Sequence, residues 1–207
     1  ADLLVVFDRV STARPEYSKR WLLHFQERPN VDQAAPEPGI GRFPGARLTS
    51  IARRGQLALG GRTITYDGEL FVHTLLPIER TVEVIGGPGF EYFNPFEGLN
   101  FPPAQPVRGV DLRESGAWRM EVSPVHPSRD DQFLHALQIA DGRVRKRVDT
   151  RLLAESEEKM VGVQFLAPLE NQIVLFARDQ KGGPVSLPVR YELSSPAAAR
   201  HLLLELE

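Results

Sequence analysis

Runs of alternating or β-branched residues, each only a few positions long and cut by glycine or proline, dominate this chain of 207 residues, which holds 17 glycines and 17 prolines. Breaks at such short intervals are what antiparallel strands joined by tight turns require. Leu3 to Val10 reads as a strand closed by a turn-rich Ser11 to Pro15, and Tyr17 to His24 (Y-S-K-R-W-L-L-H) as the next. Arg47–Ile51, Gln56–Leu59, Thr63–Tyr66 and Glu69–Pro77 then follow as a meander, with Gly60-Gly61 and Asp67-Gly68 as turns. Thr81–Ile85, Ala117–Val125, Gln132–Ile139, Met160–Ala167, Gln172–Arg178, Val185–Leu193 and Arg200–Leu206 complete the set. A short polar stretch, Leu152 to Lys159, is the one that reads as helical. The expected fold is all-β: a single antiparallel β-sandwich of a dozen or so strands over residues 1–207, with two sheets stacked about 10 Å apart.

Composition narrows the function classes. Hydrophobic residues at 42% and charged residues at 25% are those of a globular domain. A net charge of -2 predicts no nucleic-acid partner, so any polyanion must meet a local basic patch. The absence of cysteine excludes disulfides, thiolate metal sites and cysteine nucleophiles, and leaves the compartment open. The opening A-D-L-L-V-V-F-D-R-V is too short an apolar run to span a bilayer, so no membrane partner is expected. Lacking both a methionine and a signal-like start, it suggests a processed protein or a domain cut from a longer one.

Histidines offer the first candidate chemistry. In the Tyr17 strand, Trp21 and Leu23 share one face and Leu22 and His24 the other, while His73 lies between bulky apolar residues of the Glu69 strand. Two inward-pointing histidines on two strands make either a site or a pair of core side chains. His135, sharing a face with Phe133 and Leu137, reads as a satisfied core or edge histidine, and His126 and His201 carry no assigned role. Two loops stand out: the Pro- and Gly-dense Glu27 to Gly45 and the aromatic Phe90 to Pro103.

Five segments in order carry a resemblance: V-V-F-D-R-V-S-T (Val5–Thr12), Y-S-K-R-W-L-L-H, D-G-E-L-F-V-H-T-L-L-P (Asp67–Pro77), G-G-P-G-F-E-Y-F (Gly86–Phe93) and D-Q-F-L-H-A-L-Q (Asp131–Gln138). Together they resemble the C-terminal β-sheet domain of heparinase II/III-like polysaccharide lyases. The resemblance implies a sandwich that docks against a helical toroid of the same protein, an acidic polysaccharide as substrate, and β-elimination at a uronate. Such elimination needs a charge-stabilising group for the carboxylate, a base, and a proton for the leaving oxygen. By resemblance His24 is the sandwich's catalytic contribution at the interface. A periplasmic or secreted location is expected.

Some members of that family hold a structural metal. A divalent ion, zinc foremost, would take His24 and His73 with a carboxylate as third ligand, Asp67 first and Asp32 second. Two basic groups, Arg42, Arg47, Arg53, Arg54 and Arg62, and Arg143, Arg145, Lys146 and Arg147, read either as solvated faces or as contacts for an acidic glycan. The aromatic loop suits docking against the toroid. The alternative to the lyase domain is a free-standing carbohydrate-binding or structural β-sandwich without catalysis.

Overall fold

The structure, a computed structural model, describes residues 2–59, 61–103, 116–141, 147–154, 159–166, 171–179 and 203–206. In chain order the strands are β1 (Asp2–Ser11), β2 (Trp21–Phe25), β3 (Asn30–Val31), β4 (Gly39–Pro44), β5 (Leu48–Leu59), β6 (Arg62–Leu76), β7 (Arg80–Gly86) and β8 (Phe93–Asn94). They continue with β9 (Leu99–Asn100), β10 (Trp118–Pro124), β11 (Asp130–Asp141), β12 (Asp149–Leu153), β13 (Met160–Leu166), β14 (Asn171–Ala177) and β15 (Leu203–Leu206). All named pairings are antiparallel, and no helix occurs among the described residues. The antiparallel β-sandwich is therefore the fold. Two expected elements differ: Leu152 and Leu153 end β12 rather than begin a helix, and Val185–Leu193 lies outside the described residues.

Three sheets, rather than the expected two, stack on one another. A central sheet runs β1-β11-β6-β5-β3, a front sheet β2-β10-β7-β4, and a back sheet β12-β13-β14-β15. Alternation along the central strands divides their side chains between two cores. Val72, Leu137 and Ile51 pack forward against Trp118, Met120, Val122, Val82 and Val84 of the front sheet. Leu134 and Ala136, the other face of β11, pack backward with Val161, Val163 and Phe165 of β13. At roughly 1.5–3 kcal/mol per fully buried large aliphatic side chain, both faces of the central sheet contribute to stability. Buried apolar residues therefore fall on both faces of β11, Phe133 and Leu137 on one and Leu134 and Ala136 on the other.

Turn signals mislead where side chains compensate. The Asp67-Gly68 pair lies inside β6 rather than at a turn, because Asp67 pairs with Arg54 across the ladder and receives its Nε at 2.7 Å, while Gly68 pairs with both Arg53 and Asp141. β6 thus runs 15 residues and β5 runs 12, as one long hairpin. Conversely, the Pro- and Gly-rich stretch after Glu27 conceals β3 and β4. β4 is the front sheet's edge, where glycine and a terminal Pro44 cost little pairing. Lys19, buried just before β2, holds that strand in place: its Nζ lies 2.7 Å from Asp131 Oδ2 and also donates to the Ser128 carbonyl.

Candidate functional site on the front sheet

β2 enters the front sheet with Trp21, Leu23 and Phe25 turned to the core. Leu22 and His24 therefore point away from it, and both are exposed. His24 is not an inward histidine; it stands on the outer surface of the sandwich. The ladder sets its neighbours, since His24 pairs with Arg119 and Leu22 with Glu121. Arg119 and Glu121 alternate with Trp118, Met120 and Val122, which fill the core, so the two charged side chains occupy the same outer face as His24.

Charge on this face is organised by Glu121, which is only 3% exposed. Arg20 Nη1 donates to its Oε2 at 2.7 Å and Arg119 Nε to its Oε1 at 2.7 Å. One carboxylate thus fixes two guanidiniums and, among the described residues, leaves one positive charge in excess beside His24. Farther along the same row Glu83 pairs with Arg42 at 2.6 Å. The aromatic loop borders this surface: β8 and β9 form a hairpin, and the Arg20 guanidinium lies 5.4 Å from the Phe96 ring centroid. A hollow of about 380 Å³ is lined by Arg20, Leu22, His24, Phe93, Phe96 and Arg119, among others. Phe96 is 82% exposed, and Leu99 and Phe101 are also exposed, so the domain's own strands do not cover this loop. Gly116, at φ 90°, lies against His24; a Cβ there would sit 3.2 Å from the His24 Cβ.

His73 occupies a different region. It projects from β6 toward the back sheet, where its Nδ1 lies 3.1 Å from Thr150 Oγ1 of β12, and it is 8% exposed. Burial first, then the nearby Arg147 charge, lowers its pKa from the usual 6.5 to about 4, so the ring is neutral at physiological pH. Asp67 is committed to Arg54, and Asp32 accepts the backbone N–H groups of Arg47 and Leu48, the latter at 2.9 Å.

These positions do not fit a single zinc site. His24 lies on the outer face of the front sheet and His73 on the rear face of the central sheet, with a core layer between them, whereas zinc holds its nitrogens at about 2.0–2.1 Å. Among the described residues no group of three or more His, Cys, Asp or Glu is placed to hold a metal ion. The expected set of His24, His73 and Asp67 is not brought together.

The remaining histidines differ in kind. His135 is fully buried, and its ring stacks on Trp21 with centroids 3.7 Å apart. W-L-L-H and F-L-H-A-L-Q thus meet inside the front core. Neither His135 nitrogen finds a hydrogen-bond partner among the described residues, so it is a core histidine but not a satisfied one. Burial and then the Arg80 charge lower its pKa to about 3. His126 pairs with Glu79 at the surface, 3.1 Å away. The first arginine group does not form one patch: Arg42 pairs with Glu83 on the front sheet, Arg54 pairs with Asp67 on β6, and Arg47 lines a groove at the back. Of the second group, Arg147 pairs with Asp149 at 3.0 Å, and Arg143, Arg145 and Lys146 lie outside the described residues, as does His201.

Sequence reasoning missed Arg20, Arg119 and Glu121. The signal was present in A-W-R-M-E-V, whose polar positions alternate with core residues, but only strand pairing places them beside His24. No protein-family profile and no curated protein matches this chain.

Proposed function

We propose that the chain is the sheet domain of a polysaccharide lyase that cleaves a uronate-containing glycan by β-elimination, and that the outer face of the front sheet docks against a helical catalytic domain. The observation that carries this reading is the exposed His24 beside the Glu121-clamped Arg119 and Arg20 at the edge of an uncovered aromatic loop. A core histidine would be packed, as His135 is. In this arrangement the guanidiniums offset the charge that develops on a uronate carboxylate, and His24, free of any internal partner among the described residues, moves the proton. Phe96 and Phe101 supply apolar area for the helical partner or for a sugar face. The reading places the protein in the periplasm or outside the cell, where polymeric glycans are met.

The test is a product assay on the complete protein with its helical domain. Incubation with uronate-containing glycans is expected to yield unsaturated uronate ends. Hydrolysed products without unsaturation, or binding with no cleavage of any uronate glycan, would contradict the reading; the latter result would favour a carbohydrate-binding sandwich.

A further inference from the structure

A second groove, of about 750 Å³, runs between the back sheet's β12 and the near end of the central sheet, on the side of the molecule away from His24. Four guanidiniums reach it: Arg47, Arg80, Arg147 and Arg151. Its two carboxylates are already engaged, Asp149 with Arg147 and Asp32 with backbone N–H groups. Two formal positive charges are left over.

Arg80 is the most telling of the four. It is only 5% exposed, and its side-chain hydrogen bonds go to main-chain carbonyls: Nε to Ala46 at 2.7 Å, and Nη1 to Pro77 at 2.8 Å and to Ile78 at 3.3 Å. No carboxylate lies within ion-pair distance of it among the described residues. Buried charges are ordinarily paired, because the low-dielectric interior penalises a lone ion. Arg47 and Arg151, exposed on the walls, likewise have no carboxylate partner among the described residues. Beside them His73 is buried, its Nε2 without a hydrogen-bond partner among the described residues. Three cations against the single carboxylate of Asp32, with the free Nε2 edge of an imidazole beside them, leave this cleft with an excess of positive charge.

The chemistry of the lining selects among anions. Its apolar residues, Leu48, Leu75, Ile78 and Leu152, are aliphatic, so the described lining offers no Phe, Tyr or Trp on which nucleic-acid bases would stack. Planar guanidinium forks suit carboxylate and sulfate oxygens. We propose that this groove is a second, non-catalytic glycan subsite in which Arg47 and Arg151 grip carboxylate or sulfate groups of the chain above a floor charged by Arg80. The inference rests on the reading of this protein as glycan-acting, and adds a holding site distant from the reacting centre.

Calorimetric titration of the protein with an oligogalacturonate, a heparin-derived tetrasaccharide, cellotetraose and inorganic sulfate tests it, with the Leu22, His24, Thr150 and Leu152 amide resonances followed in parallel. At least one charged oligosaccharide is expected to bind and shift the Thr150 and Leu152 amides, the carboxylated or the sulfated one revealing which anion is read, while cellotetraose does neither. The double variant Arg47→Gln/Arg151→Gln, altered at two exposed positions, should weaken that binding roughly ten-fold or more and remove the shifts. Unchanged affinity in the double variant, shifts confined to Leu22 and His24, or binding of inorganic sulfate alone would overturn the subsite. Unsaturated products without groove binding leave the lyase reading standing and the subsite fallen; groove binding without unsaturated products does the reverse.

Discussion

His24 and His73 sit on strands of similar apolar character, yet one stands in solvent and the other between two sheets. His24 faces away from a two-layer packing, with charged Arg119 and Glu121 as neighbours. His73 faces the third layer, with Thr150 as its one hydrogen-bonding neighbour among the described residues and a pKa lowered to about 4. The contrast teaches that strand alternation assigns a side chain to a face, but the number of layers decides whether that face is buried. A histidine on the uncovered side is available for chemistry; one on the covered side affects stability instead.

The largest expected effect tests the covered side. His73 and His135 have folded pKa values of about 4 and about 3, below the usual 6.5, so the unfolded chain takes up their protons first as pH falls. Stability is therefore undiminished by these groups above pH 6.5 and is lost between about 6.5 and 4 for His73, and down to about 3 for His135. At pH 4.5 each contributes a loss on the order of 2 to 3 kcal/mol relative to pH 7.5. Urea unfolding at the two pH values, in wild type and His135→Phe, measures it; an equal pH dependence in both proteins would break the comparison.

Next in size is the alternation within β2. Trp21→Ala removes the ring stacked on His135 and is expected to cost about 3 kcal/mol, whereas Leu22→Ala, one residue on, should change stability by no more than about 0.5 kcal/mol. Equal losses in denaturant midpoint would contradict the assignment of faces. Glu121→Gln should fall between them, at about 2 kcal/mol, since two guanidiniums lose their shared counter-charge in a largely buried setting. His24→Ala, on the same exposed face as Leu22, should likewise stay within about 0.5 kcal/mol of wild type by the same measurement.

How much of this was legible in the sequence follows the same division. The all-β antiparallel class and the long strands β1, β10, β11 and β13 could be read from alternation and turn residues, because each has apolar positions that a local pattern exposes. The third sheet could not: Leu134 and His135 are both buried, and a run apolar on both faces gives no indication of which layer covers each face. Asp67-Gly68 looked like a turn because the Arg54 ion pair that carries the strand through it lies 13 positions away in sequence. The pairing of His24 with Arg119, and the isolation of His24 from His73, are long-range consequences of strand order. Arg80 was passed over because nothing near it in sequence marks it as a buried cation.

The most direct test of the functional face is the rate at which the complete protein forms unsaturated uronate ends, compared between wild type, His24→Ala and Leu22→Ala. If the outer face of the front sheet serves the elimination through His24, His24→Ala should lower that rate by roughly 10² to 10⁴ while Leu22→Ala stays near wild type and all three proteins share one unfolding midpoint. An unchanged rate in His24→Ala would contradict it.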